Sequence, residues 1–297
     1  MKVSFAMLAA QTLVKMKMTA RLIHGKKYVP LFLILAVGVY LGITAWTQHT
    51  VTHNAKFNDP DKTRMGERLF PRRAFVIALD ERDGIRLRAR INETLGVYPV
   101  IIKADKGVSH DSNVHIFTRY MMDTERVDHK LIGNAAMIGC LMSHVQIWKT
   151  LTEPAFIFEE DAVLDADTRI MIANQLYEAN SHNWSALMLT QKWKLNIEDE
   201  IQNLSPLLAT CKACNWGGTR AYIITPEGAS VLLEYHLPLL VQVDGLMALV
   251  NTYDARFNMI WVRDETVKQT PNRPSSIQTK PCPKCYHVWD YADPRRW

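Results

Sequence analysis

From residue 74 onward the chain alternates short apolar runs with segments of helical period, and that alternation restricts it to an α/β architecture. Ala74–Leu79 (AFVIAL) reads as a buried strand. Gly84–Leu95 carries Ile85, Leu87, Ile91 and Leu95 at helical spacing and is closed by Gly96. Tyr98–Ile102 (YPVII) reads as a second strand, and the order strand, helix, strand predicts a parallel pair joined by a crossover. Residues 103–130 are polar and irregular, as an active-site loop would be. A helix is predicted over 134–151, a strand over Ala155–Phe158 (AFIF), a helix over 167–177 and a strand over 186–189. Ala221–Ile224 (AYII) is a further strand; a helix Pro226–Tyr235 follows with Thr225 at its N-cap, then a short helix over 243–251. The sum is an α/β fold with a mainly parallel sheet.

A different constraint acts on the N-terminal part. Tyr28–Trp46 (YVPLFLILAVGVYLGITAW) has no charge and has aromatic residues at both ends. As a helix it is long enough to cross a hydrocarbon core of ~30 Å. Pro30 lies near its start, where a missing N–H costs least. A cleaved signal peptide fits less well, because the run is longer than a usual h-region and no small-residue cleavage site follows. Lys2, Lys15, Lys17, Arg21, Lys26 and Lys27 all precede the run, with no acid among residues 1–46. The positive-inside tendency then leaves the N-terminus cytosolic, giving a single-pass type II protein with its main domain lumenal (Golgi or ER) or extracytoplasmic. Removing those six charges from the net of +5 leaves −1 for residues 47–297, so there is no basic excess for phosphate neutralisation. No nucleic-acid partner is expected. Three sequons, at Asn92, Asn183 and Asn203, would be glycan acceptors in a lumenal domain only where exposed.

The apolar run Ala155–Phe158 ends directly in Glu159-Glu160-Asp161. Carboxylates at the C-terminal end of a buried strand occupy the usual ligand-binding edge of an open α/β sheet. Adjacent acids repel one another, and burial raises the cost of their charge. A divalent cation relieves both penalties, and Mg²⁺ or Mn²⁺ prefers such oxygen ligands together with substrate phosphates. Strand alternation sends Glu159 and Asp161 to one side and Glu160 to the other, which makes Glu159 and Asp161 the expected metal pair. A solvated acidic strand end is the competing reading. Asp165 and Asp167 are spaced alike but precede a predicted helix, where capping is the expected role.

Cys211-x-x-Cys214 and Cys282-x-x-Cys285 form two further pairs. A Zn²⁺ site at these four residues or two disulfides would each staple the C-terminal tail to the domain, and both readings stay open. The remaining thiol, Cys140, reads as a small buried packing residue.

Several segments together resemble glycosyltransferase family 25, which includes bacterial lipooligosaccharide galactosyltransferases and collagen galactosyltransferases. They are Phe75–Asp80, Ile138-Gly139-Cys140-Leu141-Met142-Ser143-His144 with Trp148, Glu159-Glu160-Asp161-Ala162, Gly218–Ala229 with Leu232-Leu233, Val243-Asp244 and Ser275-Ser276-Ile277. The resemblance implies a GT-A-like nucleotide-sugar-binding fold, a UDP-sugar donor (UDP-galactose or a relative), a Mn²⁺ or Mg²⁺ cofactor and inversion at the anomeric carbon. The acceptor is expected to be a glycan or glycoprotein, with the membrane contacted through the N-terminal helix. Inversion in one displacement needs a carboxylate base. Asp244 is the leading candidate, its other reading being a helix cap, and Glu160 is the second catalytic candidate. Ser143, His144, Asp80 and Thr219 are expected to serve the donor. The chain departs from the family pattern at Ala78, Ile85, Met137, Ser185 and Glu160, and the departures at Ala78, Met137, Glu160 and Ser185 motivate a second reading as a catalytically weak, membrane-bound glycan- or protein-binding module. The domains expected are a cytosolic tail (1–27), an anchor (28–46), a stem (47–71), a glycosyltransferase domain (72–277) and a Cys-containing tail (278–297).

Overall fold

A computed structural model describes residues 59–116, 118–119, 131–190, 201–212 and 218–270. The chain divides into two units, 1–58 and 59–297, and every described residue belongs to the second. The expected anchor Tyr28–Trp46, Cys214, Cys282 and Cys285 lie outside the described residues. Among the described residues, no helix is long and apolar enough to cross a membrane.

The first element is helix α1, Pro60–Glu67, inside the stretch expected to be a stem. Asp59 caps it by accepting from the Asp61 and Lys62 amides, and Pro60 stands in the first turn. Strand β1 (Arg73–Ala78) leads into α2 (Glu81–Leu95), which starts at the Asp80 cap and ends at Gly96 with φ 72°, a conformation suited to glycine. Next come β2 (Val100–Lys103), a 3₁₀ turn (Val108–Asn113) and α3 (Ala135–Trp148). Strand β3 (Ala155–Glu159) precedes the two-residue β4 (Ala162–Val163), α4 (Thr168–Ala179) and β5 (Ala186–Met188). The remainder is β6 (Gln202–Asn203), β7 (Leu208–Thr210), β8 (Ala221–Ile224), α5 (Pro226–Tyr235), α6 (Val243–Tyr253), β9 (Met259–Val262) and β10 (Lys268–Gln269).

Helix α1 packs on α4: Arg169 pairs with Glu67 at 2.7 Å, and Asn174 donates to the Thr63 hydroxyl at 3.0 Å. Gly66 lies against the Ala173 carbonyl, where any Cβ would collide. The folded unit therefore begins near Asp59.

Eight strands form one mixed sheet in the order β2-β1-β3-β8-β5-β9-β7-β6, while β4 and β10 pair separately. Parallel pairing joins β1 to β2, β1 to β3 and β5 to β9. Strands β8 and β7 run against their neighbours, so the other six share one direction. Strand β8 matters most, because it inserts antiparallel between β3 and β5, with Ala155 opposite Ile224 and Phe158 opposite Ala221. That register brings the residues entering β8 beside the residues leaving β3. The Glu159 amide accordingly donates to the Arg220 carbonyl at 2.8 Å. Every residue of β8 and β9 is buried, as expected for central strands covered on both faces.

Candidate active site

The acidic run does not point one way. Regular strand geometry ends at Glu159, and Glu160 and Asp161 form a turn. Glu159 faces Thr219 and α3, and its Oε1 accepts the Thr219 hydroxyl at 2.6 Å with His144 Nε2 at 3.5 Å. Glu160 accepts the Leu79 and Asp80 amides at 2.8 and 3.2 Å, tying the turn after β3 to the turn after β1. Asp161 accepts from Gln269 Nε2 at 2.9 Å and lies 3.7 Å from Arg220 Nε, while Arg220 reaches Glu265 at 3.3 Å. Arg220 is only 4% exposed, so its charge acts in a setting of weak screening.

Helix α3 supplies two neighbouring faces with separate tasks. Gly139 and Ser143, four residues apart, receive the segment after β2: a Cβ on Gly139 would stand 2.1 Å from the Asp105 carbonyl oxygen. Ser143 is fully buried, donates to the Gly139 carbonyl at 2.7 Å and accepts the Asp105 amide at 2.8 Å. It therefore fastens that segment from within the core and has no exposed surface to offer a donor. Cys140 and His144, also four residues apart and so on one helix face, turn toward Glu159. Their ligand-type atoms and a Glu159 carboxylate oxygen all lie within 4.8 Å of one another. Cys140 packs against the core as expected, though partly rather than fully buried, and it is also a member of this cluster.

His144 is held on its other side by two residues that sequence reasoning did not assign to the site. Its Nδ1 lies 2.8 Å from Tyr222 Oη, and the rings stack with centroids 5.7 Å apart. Trp148 Nε1 donates to the same Tyr222 oxygen at 3.0 Å. A buried tyrosine in an apolar strand must place its hydroxyl somewhere, and that was the available signal in AYII. The spacing of Cys140 and His144 was the other.

Asp244 sits in the first turn of α6, one residue inside the position next to the Gln242 cap. Its carboxylate accepts the Gly218 amide at 3.0 Å and the Gly245 amide at 2.8 Å and is 8% exposed. Gly218 has φ 97°, a value open to glycine, and leads straight to Thr219. Asp244 and Glu159 are therefore linked through Gly218 and Thr219. Of the expected donor residues, Thr219 and His144 join this cluster. Asp80 is exposed and caps α2 through the Arg82 amide at 2.8 Å, reaching the cluster only through Glu160.

Electrostatics agree with this geometry. Burial opposes ionisation of Glu159, but His144, the Thr219 hydroxyl and the Arg220 charge outweigh it and lower the carboxyl below its ordinary value. Burial, followed by the carboxylates of Glu159, Asp244 and Asp161, pushes the Cys140 thiol well up.

An all-oxygen Mg²⁺ or Mn²⁺ site would need Glu159 and Asp161 to converge, and they do not. Glu159 and Asp161 are drawn to different partners, and Arg220 already supplies positive charge beside Asp161. The donor atoms that do converge are sulfur, nitrogen and oxygen, which is not the set those hard ions select. Elsewhere, Cys211 is disulfide-bonded and buried, with its partner outside the described residues. The Asn residues of all three sequons are exposed. Asp167 occupies the cap position of α4 without a side-chain capping bond, and Asp165 instead pairs with Lys268 at 2.6 Å.

Residues 75–247 match the family described as glycosyltransferase family 25 (LPS biosynthesis protein). The stretch contains Glu159, Thr219 and Asp244. No curated protein matches the chain.

Proposed function

The chain belongs to glycosyltransferase family 25, and on that premise we propose that it transfers a hexose, galactose or a close relative, from a UDP-sugar to a glycan or glycoprotein acceptor with inversion. It is a glycosyltransferase, and its family implies a sugar donor and a glycan acceptor. The observation that supports the finer reading is the Glu159–Thr219–Gly218–Asp244 linkage within the matched stretch. It gathers carboxylates at the edge where β3 ends, the usual binding edge of an α/β sheet. The proposal includes a GT-A-like nucleotide-sugar fold, a type II anchor at Tyr28–Trp46 and a lumenal or extracytoplasmic domain.

Asp244 is the proposed base. Two backbone amides hold its carboxylate at a fixed angle, and an acceptor hydroxyl within hydrogen-bond reach would pass its proton to an oxygen of that group. Fixed orientation of this kind lowers the entropy lost on reaching the transition state. Glu160 is assigned to positioning, since it holds the Leu79–Asp80 peptide toward the same edge. A Mg²⁺ or Mn²⁺ ion stays in the proposal only as a companion of the donor diphosphate, because Glu159 and Asp161 do not converge as the expected metal pair.

The test is a donor screen. Full-length protein is incubated with a panel of UDP-sugars, Mn²⁺ and glycan acceptors, and mass spectrometry follows UDP release and product. Turnover with a UDP-hexose supports the reading. Absence of turnover with every donor, combined with no UDP binding, rejects it. UDP-sugar binding without turnover would favour the catalytically weak binding module, a reading that Glu160 motivates because its carboxylate is committed to backbone amides.

A further inference from the structure

We propose that Cys140, His144 and Glu159 form a three-ligand site for a borderline-soft divalent cation of the Zn²⁺ class, with a fourth position open to solvent. Ligand atoms 2.0–2.3 Å from zinc stand roughly 3.3–3.8 Å apart in tetrahedral geometry. His144 Nε2 and Glu159 Oε1 are already 3.5 Å apart, and the three candidate atoms share a 4.8 Å envelope. Only a small closure of the Cys140 side chain is needed.

A second observation points to a ligand. His144 is fully buried, and its Nε2 makes no close hydrogen bond: the Glu159 carboxylate that it faces stands 3.5 Å away. A buried polar atom left in this way is costly unless something else satisfies it. The surroundings suit a metal-bound imidazole, because a ligating histidine usually donates its other ring N–H to an oriented acceptor. Tyr222 Oη stands 2.8 Å from Nδ1 and has lone pairs for both His144 and Trp148. Thr219 likewise orients the Glu159 carboxylate from the side opposite α3. Cys140 is only partly buried and the Glu159 side chain is 26% exposed, so the cluster keeps some contact with solvent.

The proton balance is simple. The ion replaces the thiol proton of Cys140, which is released to solvent, while Glu159 binds as the carboxylate. His144 stays neutral, with its proton on Nδ1 and Nε2 on the ion. The mixed sulfur, nitrogen and oxygen set then prefers Zn²⁺ or Co²⁺ over Mg²⁺ or Mn²⁺. Since Glu159 is common to both donor sets, the two kinds of ion are alternatives at this carboxylate. The proposal stands apart from the sugar-transfer reading, because ion binding is measured on the protein at rest.

The experiment uses the full-length protein, stripped with chelator and kept under non-reducing conditions so that Cys211 remains in its disulfide. Co²⁺ titration should give a thiolate-to-metal charge-transfer band, with one bound equivalent and about one released proton that disappear together in Cys140→Ser. Tyr222→Phe should weaken binding roughly 10–100-fold through the lost outer contact. Comparison with Cys140→Ser removes any contribution from the other cysteines. A second measurement needs no variant: Zn²⁺ should slow alkylation of Cys140, read by peptide mass mapping, by at least about tenfold while the ligating thiolate is occupied. Identical Co²⁺ spectra and stoichiometry in parent and Cys140→Ser, or an alkylation rate unchanged by Zn²⁺, would overturn the proposal.

Discussion

Thr219 donates its hydroxyl to Glu159 at 2.6 Å, joining the residue that enters β8 to the residue that ends β3. The bond is nearly closed to water on the threonine side, where Thr219 is 3% exposed. Thr219→Val keeps the shape and removes the donor, so the carboxylate loses a partner in a partly buried setting. A stability loss of about 1–2 kcal/mol is expected. Urea unfolding checks it, and Thr219→Ser should recover most of the loss.

The same carboxylate carries a pH dependence of known sign. The folded value of Glu159 is lowered from its ordinary 4.5. Its contribution to stability is therefore present above the unfolded value and lost as pH falls through the folded one. Stability should decline on the acid side of about pH 4.5, and Glu159→Gln should flatten that limb relative to the parent. Urea midpoints measured across the acid range decide the matter; parallel curves for parent and variant would contradict it.

Asp244 combines a tether with a proposed base, and Asp244→Asn separates the two. The amide oxygen can still accept the Gly218 amide, at the loss of the Gly245 bond now made to the other carboxylate oxygen, and the group can no longer take a proton. Turnover should fall roughly 10²–10⁴-fold while donor affinity changes little. Unaltered kcat in a folded variant would leave Asp244 with the tether alone.

Glu160 tests positioning. Glu160→Asp shortens the side chain by one methylene and withdraws the acceptor from the Leu79 and Asp80 amides, now bound at 2.8 and 3.2 Å. The expected result is a raised KM for the sugar donor and a stability loss of about 1 kcal/mol. Glu160→Gln keeps an acceptor at the original reach and should behave closer to the parent.

Gly139 has no room for a methyl group. The nearest obstacles to a Cβ are backbone atoms, namely the Asp105 carbonyl at 2.1 Å and the Gly107 amide nitrogen at 2.9 Å. Gly139→Ala must push the 105–107 segment away from α3, at a cost of at least ~1–3 kcal/mol. A thermal melt should show the drop, and a parent-like Tm would contradict this packing.

Local structure was legible where local physics decides it. Thr225 followed by Pro226 marked the start of α5, Gly96 marked the end of α2, and apolar runs marked β1, β3 and β8. Helix α1 was not legible: its exposed polar face resembles a linker, and its buried contact at Gly66 depends on a backbone carbonyl more than a hundred residues away. The partition of the acidic run was equally hidden. Alternation would have paired Glu159 with Asp161, but the strand stops at Glu159 and the turn sends each acid to a different partner.

Sequence alone determined the α/β class, the ordered motifs and the presence of carboxylates at the end of β3, because these follow from side-chain period, turn chemistry and residue identity. Strand direction and order required the tertiary structure. Alternating strands and helices favour parallel pairing, yet β8 enters antiparallel between β3 and β5. A parallel β8 would have carried Thr219 to the opposite edge of the sheet from Glu159. Backbone pairing between distant segments is set by which buried faces fit together, and that choice brought Thr219, Glu159, His144 and Asp244 to one place.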